Sequence, residues 1–178
     1  MRVLLIRPAR VGQVGLDRTA LVEPLGLEMV GACLPQHEVR ILDLRVGADL
    51  GRALRAFRPE VCGLGCAFTT EARTCLELAR AIKAALPDCP VIVGGPHPSL
   101  CPEDFADPAV DAIVVGEAEA TVVELFAALE SGQPLDAVPG LVIAGLAWQH
   151  ATSPRPAIAD LDQLPFPARH LVAGHARR

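Results

Sequence analysis

The sequence predicts a doubly wound α/β domain built on a parallel sheet. Hydrophobic residues make up 51% of the chain but aromatic residues only 3%. The core must therefore consist of aliphatic side chains, as in parallel sheets that are covered by helices on both faces. Short aliphatic runs also alternate with segments of helical periodicity, which is typical of a β-α-β chain. Because 178 residues suffice for one such domain, we expect a five-stranded, flavodoxin-like or Rossmann-like sheet with strand order 2-1-3-4-5.

The first half of the chain contains three predicted strands. The aliphatic run at residues 3–7 ends at Pro8 and predicts the first strand. A long loop follows to Pro24, where a helix begins, because proline fits the first helical turn. Polar and apolar residues alternate at 38–42, which predicts a second strand near an edge of the sheet, and the small apolar run at 61–66 predicts a third.

The second half supplies two more parallel strands and a hairpin. The aliphatic runs at 91–93 and 112–115 predict strands four and five. Residues 141–143 and 146–148 form the two arms of a predicted hairpin, and the Pro-rich chain from Thr152 onward is expected to leave the domain. The predicted helices span residues 24–34, 49–57, 69–86 and 121–129.

Charge and hydropathy exclude several classes of partner. The net charge is −5 and no run of Lys or Arg occurs, which argues against nucleic-acid binding. No apolar stretch approaches the ~20 residues of a membrane span. The N-terminal apolar run reaches Arg7 and Pro8 too early for a signal peptide. These features predict a cytosolic protein.

The loops after strands three, four and five predict a ligand site. In doubly wound sheets, ligands bind beyond the carboxyl ends of the strands. Each of these loops begins with glycine, which lets the backbone approach a bulky ligand, and helix starts offer backbone amides. The substitutions Gly94→Val and Gly95→Val are expected to weaken binding more than folding. The candidate binding residues are Arg7, Pro8, Gly65, Cys66, Ala67, Phe68, Thr69, Thr70, Gly94, Gly95, Pro96, His97, Gly116, Glu117, Glu119 and Thr121.

Several common chemistries lack their motifs. The chain has no GxGxxG after strand one, no GxxxxGK[ST] and no GxSxG, which argues against a dinucleotide site, a P-loop and an α/β-hydrolase. Acidic phosphoacceptor residues are also missing beside strand one. The remaining alternatives from the residues alone are a domain that binds another ligand, such as a flavin, and a pure interaction module.

The cysteines and His97 each allow two interpretations. Six cysteines in a cytosolic chain are more often small buried hydrophobes than disulfides. Cys62 and Cys66 share the spacing of a radical SAM cluster, but Thr69 stands where the third thiolate would be. We therefore interpret both as packing residues, with a metal role as the minor alternative. His97 follows two glycines and is either an ordinary polar loop residue or a contact to the ligand.

An ordered set of short motifs carries a family resemblance. Pro8 is followed by EPLGL at 23–27, VCGLGC at 61–66, VIVGGPHP at 91–98 and DAIVVGEAE at 111–119. Over residues 1–150 the chain resembles the cobalamin (B12)-binding domain at the N-terminus of B12-dependent radical SAM enzymes. That group includes methyltransferases and the anaerobic magnesium-protoporphyrin oxidative cyclase.

The resemblance implies the cofactor and the arrangement of the whole enzyme. Cobalamin would bind here, whereas a [4Fe–4S] cluster and SAM would belong to a radical SAM domain that follows in the same chain. Residues 151–178 resemble the Pro-rich linker toward that domain, so the sequence is expected to be a piece of a longer protein. The chain lacks CxxxCxxC, and we assign no catalytic residue and no metal ligand in it.

One departure from the other cobalamin carriers concerns the lower face of the corrin. Those carriers have a DxHxxG motif after strand one, whose His binds cobalt, and this chain has none. The radical SAM branch commonly lacks it as well. The resemblance implies a corrin across the strand ends and a nucleotide tail near strand three, beside Gly63, Gly65, Cys66 and Ala67.

Overall fold

The structure, a computed structural model, describes residues 1–9, 22–143 and 150–172. The strands in these ranges form one sheet in the order β2-β1-β3-β4-β5-β6-β7. The strands are β1 (Arg2–Arg7), β2 (Glu38–Asp43), β3 (Val61–Gly65), β4 (Val91–Gly94), β5 (Ala112–Val114), β6 (Leu141–Ile143) and β7 (His150–Ala151). The helices are α1 (Leu25–Ala32), α2 (Leu50–Phe57), α3 (Ala72–Ala85), α4 (Pro96–Leu100) and α5 (Ala118–Ser131).

The predicted order 2-1-3-4-5 is confirmed, but the sheet extends beyond the five predicted strands. β1 to β5 are parallel, whereas β6 and β7 continue the sheet antiparallel. α5 and residues 132–140 connect β5 to β6, and this connection brings Leu141 beside Val114, so that β6 runs antiparallel to β5. The first arm of the predicted hairpin is correct, and its second arm at 146–148 lies outside the described residues.

Side chains that alternate along each strand build two separate cores. Leu4, Cys62 and Val93 point to one face of the sheet, which α2 and α3 cover. Leu5 and Ile92 point to the other face, which α1 and α5 cover. Burial on both faces explains why the strands read as continuous aliphatic runs rather than as an alternating pattern.

Local residues explain where the helices begin. Asp49 begins α2 because its carboxylate accepts a hydrogen bond from Arg52 N at 2.7 Å. The helix that the sequence predicts from residue 69 begins as a 3-10 turn at Thr69–Glu71 and becomes α-helical at Ala72. Between β4 and β5 lie only α4 and a 3-10 turn at Pro102–Phe105, as the short, Pro-rich segment indicates.

Residues 152–172, here called the return segment, pack against the domain. Thr152 N donates to Leu141 O at 2.9 Å and Ala168 N donates to Glu28 O at 3.1 Å. Val172 is buried and forms a parallel bridge with Ile41 on the edge strand β2. This differs from the expectation that the chain leaves the domain at Thr152. The segment stays on the domain because backbone groups on the sheet strands and on α1 form hydrogen bonds with its backbone.

None of the helices in the part of the chain that the structure describes is long and apolar enough to span a membrane.

Candidate functional site

A cavity of about 590 Å³ opens at the carboxyl ends of the strands and continues down the face that α1 and α5 cover. Its floor is formed by Gly63, Gly65 and Gly94. In the parallel register Gly63 lies beside Ile92, and Gly65 lies beside Gly94. All three glycines therefore face the same side of the sheet. Their missing side chains leave a trough along β3 and β4, which we call the groove.

The groove is apolar in its depth and polar at its mouth. The apolar wall comes from the sheet and from the two covering helices. Charged side chains stand near the opening, where the loops after the strands begin. Such a cavity suits a ligand with a flat apolar group and a polar periphery. The apolar wall includes Leu5, Leu27, Val30, Ile92, Val114, Val122 and Phe126, and the charged lining residues are Arg7, Glu23, Arg45, Glu117 and Glu119.

The loops after β3 and β4 are packed against each other at the mouth. Gly95 has a φ of 122°, and a Cβ built on it would collide with the backbone oxygen of Cys66. Cys66 N also donates to Gly94 O at 2.8 Å. Only glycine allows this close approach at position 95.

A buried ion pair shapes the loop after β3. The guanidinium of Arg7 donates to both carboxylate oxygens of Glu71, at 2.8 and 2.7 Å. The side chain of Glu71 is fully buried and that of Arg7 is 9% exposed. Oε2 of Glu71 also accepts hydrogen bonds from Ala67 N at 2.9 Å and from Phe68 N at 3.3 Å. The pair therefore ties the end of β1 to the turn that forms one side of the mouth.

Ser99 joins the loops after β4 and β5. Its hydroxyl donates to Gly95 O at 2.8 Å and accepts from Gly116 N at 2.9 Å. Gly116 has a left-handed φ of 79°, which turns the chain from β5 toward α5. At the same corner, the carboxylate of Glu117 accepts a hydrogen bond from Ile158 N in the return segment. Three loops and the return segment thus meet around one opening.

The structure brings most of the candidate binding residues to the groove, and the others lie beside it. Thr69 and His97 do not line the groove. Thr69 Oγ1 and His97 Nδ1 lie 3.3 Å apart. Thr121 is buried and its Oγ1 accepts a hydrogen bond from Arg155 Nε at 2.8 Å. Pro8 and Thr70 do not line the groove either. The candidates that do are Arg7, Gly65, Cys66, Ala67, Phe68, Gly94, Gly95, Pro96, Gly116, Glu117 and Glu119.

Sequence reasoning missed the covering helices as part of the groove. Leu27 and Val30 on α1, and Val122 and Phe126 on α5, line the groove, although none of them is among the candidate binding residues. The available signal was the glycines at 63, 65 and 94. When adjacent parallel strands carry glycines on one face, the space above them is open to side chains of the covering helices or to a ligand, and Leu27 of α1 approaches Gly65 in this way.

The structure supports packing roles for the cysteines in the strands. Cys62 and Cys66 are fully buried and belong to the core that α2 and α3 cover, and Cys66 also borders the mouth of the groove. The Sγ atoms of Cys62 and Cys89 are 3.8 Å apart. Hydrogen bonding with Cys89 and burial raise the pKa of the Cys62 thiol, and hydrogen bonding with Cys66 and burial raise the pKa of Cys75. Such thiols stay protonated and are poor metal ligands.

Comparison with known protein families identifies the family to which this chain belongs. A family model described as "B12 binding domain" matches residues 14–126. The chain belongs to this B12-binding domain family. The match spans α1 to β5 and most of α5, which supply most of the residues that line the groove, whereas Leu5 and Arg7 on β1 lie outside it. It confirms the resemblance that the sequence motifs carry.

Two curated relatives are similar over most of this chain. The hopanoid C-3 methylase of Methylococcus capsulatus is 33% identical over 158 residues, which are 85% of this chain and 30% of the methylase. The anaerobic magnesium-protoporphyrin IX monomethyl ester cyclase of Synechocystis is 30% identical over 171 residues, which are 91% of this chain and 34% of the cyclase. The chain thus spans about a third of the length of these relatives.

A solved structure confirms the fold of the B12-binding domain. OxsB, described as a cobalamin-dependent S-adenosylmethionine radical enzyme with aqua-cobalamin and S-adenosylmethionine bound, superimposes with a TM-score of 0.77 at 19% identity. The match covers 94% of this chain and 24% of OxsB. The comparisons give no support to the flavin-binding alternative.

Proposed function

We propose that this domain holds cobalamin with the corrin at the mouth of the groove and the nucleotide base in its apolar depth. One observation carries this proposal: the glycine floor formed by Gly63, Gly65 and Gly94 lies beneath apolar walls and a charged rim. Cobalamin has matching parts, because its benzimidazole base is flat and apolar while its corrin is surrounded by amide groups. The residues that are present therefore fit the cofactor that the family implies.

The chain's own residues would act by shape and by rigidity. The glycine floor admits a planar group that any larger side chain would exclude. The Arg7–Glu71 pair and Ser99 keep the surrounding loops in position before the ligand arrives, which lowers the entropic cost of binding. Bound cobalamin supplies a cobalt centre that can carry a methyl group or assist radical chemistry.

The proposal extends to the protein of which this domain would be a part. We propose residues 1–150 as the cobalamin-binding domain and residues 151–178 as a linker toward a radical SAM domain in the same chain. The [4Fe–4S] cluster and SAM would bind there, in a cytoplasmic enzyme of the methyltransferase or cyclase type. The similarity to a methylase and a cyclase supports this part of the proposal, and SAM cleavage by the present chain alone is not expected.

Titration with hydroxocobalamin tests the binding proposal. We expect a shifted visible spectrum and a raised melting temperature, since a ligand that binds only the folded state stabilises it by about 2.7 kcal/mol at a hundred times its Kd. Flavin mononucleotide serves as the matched control for the flavin-binding alternative. The absence of both changes at saturating cobalamin would contradict the proposal, and stabilisation by the flavin alone would favour the alternative.

A further inference from the structure

Three different side chains that can bind a metal lie close together next to the groove, but they do not line it. They are His97, Cys101 and Asp104, and their ligand atoms all lie within 4.8 Å of one another. The local backbone holds this cluster together, because Cys101 N donates to His97 O at 2.9 Å and Asp104 N donates to Cys101 O at 3.2 Å. The spacing H-x3-C-x2-D thus places three ligands on one short run of helical turns.

His97 is already oriented as a metal ligand. Its side chain is 6% exposed, and its ring packs edge-on against Phe105 with centroids 5.7 Å apart. Nδ1 lies 3.3 Å from Thr69 Oγ1 and Nε2 lies 3.0 Å from Asp104 Oδ2. When Nδ1 carries the proton and donates it to Thr69, the lone pair of Nε2 faces the carboxylate. A cation between nitrogen and oxygen satisfies both acceptors, and the hydroxyl provides the hydrogen bond that ligating imidazoles usually make.

We propose that His97 Nε2, Cys101 Sγ and Asp104 Oδ2 bind a divalent transition-metal ion of the Zn²⁺ type. Imidazole and thiolate ligands favour Zn²⁺ over Mg²⁺ and Ca²⁺, which prefer oxygen ligands alone. Binding releases the thiol proton of Cys101 to solvent. The side chain of Asp104 is 49% exposed, which gives the ion access and leaves a coordination position for water.

Cys101 distinguishes this metal site from a simple hydrogen-bonded pair. An imidazole and a carboxylate that share a proton would explain the contact between His97 and Asp104 without any metal. That pair makes no use of the thiol, which lies in the same cluster and is only half-buried. The thiol is therefore the group on which the test depends.

Zinc titration of the whole chain, freed of metal by a chelator and free of cobalamin, tests the site. We expect one Zn²⁺ per chain by calorimetry and no binding of Mg²⁺ at the same concentration. Cys101→Ser and Asp104→Asn should each weaken Zn²⁺ binding by at least about tenfold, and Thr69→Val by about tenfold through its effect on the imidazole. Glu103→Gln, an exposed carboxylate in the same turn, and Cys33→Ser, a half-buried thiol elsewhere, should bind Zn²⁺ like the parent.

Protection from alkylation gives a second readout. Bound Zn²⁺ should slow the reaction of Cys101 with iodoacetamide, whereas Cys33 in the same sample should react at an unchanged rate. The proposal is wrong if the chain binds no Zn²⁺, if Cys101→Ser binds it as tightly as the parent, or if Mg²⁺ binds equally well. The result does not depend on cobalamin binding, so either proposal can fail while the other stands.

Discussion

Gly94 and Gly95 are neighbours in the chain, but a side chain at each would meet different surroundings. A Cβ at Gly94 would contact Val114 Cβ at 3.6 Å, an ordinary van der Waals distance, and would point into the groove. A Cβ at Gly95 would collide with the backbone of Cys66, at a φ that other residues rarely adopt. The expectation that both valine substitutions weaken binding more than folding therefore changes for Gly95. We now expect Gly95→Val to damage folding itself.

Gly94→Val tests the groove without this complication. Valine would fill the floor between β4 and β5, so we expect the Kd for cobalamin to rise by about tenfold or more, equivalent to about 1.4 kcal/mol. The melting temperature should change little, because valine is a good strand residue. Visible titration and thermal unfolding of the same preparation measure the two effects.

The smaller variant Gly94→Ala provides a graded comparison and should lie between the parent and valine. Gly51→Ala, on α2 at the opposite face, is the control that should leave cobalamin binding unchanged. Equal affinity in the parent and in Gly94→Val would mean that the ligand does not reach this part of the groove.

His97 is not expected to bind cobalt. Its Nδ1 lies 3.3 Å from Thr69 Oγ1, its Nε2 faces the carboxylate of Asp104, and its side chain does not line the groove. If the benzimidazole base occupies the groove, it also leaves the metal. Electron paramagnetic resonance of the Co(II) form should therefore show no strongly coupled nitrogen.

Two other outcomes of this measurement would each identify a nitrogen ligand of the cobalt. A nitrogen triplet that disappears in His97→Ala would make His97 the axial ligand. A triplet that survives this substitution would mean that the nucleotide base remains on the metal. In the second case the benzimidazole would not lie in the groove.

The pKa of His37 predicts how the stability of the fold depends on pH. Burial lowers the pKa of this imidazole below its ordinary 6.5, as does the nearby chain amino group, and Glu130 offsets only part of the effect. The folded state therefore binds the proton less readily than the unfolded state. Stability is highest above the ordinary pKa and falls as the pH drops below it.

Urea unfolding between about pH 7 and pH 5, where histidine titrates, checks this dependence. His37→Gln should flatten the decrease in unfolding free energy over that range. His170→Gln, at an exposed position, is the matched control and should retain the slope of the parent. If the slope is the same in all three proteins, His37 is not its source.

At the scale of secondary-structure elements, the Arg7–Glu71 pair connects β1 with the turn that leads into α3. A buried pair of this kind adds little net stability relative to apolar residues, but removing one partner is costly because the other charge remains buried. The pair also supplies hydrogen bonds to two amides of the mouth. It therefore influences both stability and the shape of the groove.

Glu71→Gln should lower the free energy of unfolding by about 3 kcal/mol and should weaken cobalamin binding as well. The exposed pair of Arg2 and Glu60, with nitrogen and oxygen 3.8 Å apart, offers the control. Glu60→Gln should cost less than about 1 kcal/mol and leave cobalamin binding unchanged. Equal losses from the two substitutions, measured by urea unfolding, would contradict the structural role of the buried pair.

At the scale of the whole molecule, the return segment passes from the α5 side of the groove to α1 and then to the edge strand β2. Glu117 contacts it at Ile158. Glu28 and Glu23 contact it at residues 168 and 169, and Ile41 contacts it at residue 172. This path brings the return segment past residues at the mouth of the groove, Glu117 and Glu23 among them.

Val172→Asp tests whether the segment is docked in solution. Val172 is 4% exposed, and a carboxylate there should cost about 2 kcal/mol, roughly the burial energy of the valine side chain. Phe166→Asp, in the same segment but 94% exposed, should change the unfolding free energy by less than about 0.5 kcal/mol. If Val172→Asp is equally harmless, the segment does not hold to the domain.

Much of the fold was predictable from local patterns. Each of the five predicted parallel strands is a strand of the structure within one or two residues, because continuous burial on two faces admits few other sequences. The order of β1 to β5 followed from the right-handed connection between parallel strands. β6 was predicted as one arm of a hairpin but not as part of the sheet, and β7 at His150–Ala151 was not predicted, since short strands carry no signal for the neighbour they join.

The sequence by itself determined the α/β class, the strand order of the parallel sheet, the glycine-rich loops and the family, all of which depend on residues close together in the chain. Only the tertiary structure decided that Gly63, Gly65 and Gly94 form one floor, because that requires the register between β3 and β4. It also decided that the return segment folds back and that the imidazole of His97 faces Asp104 rather than the groove. These contacts join residues that are far apart in the sequence. They are decided by the packing energy of the whole fold, which local sequence patterns do not contain.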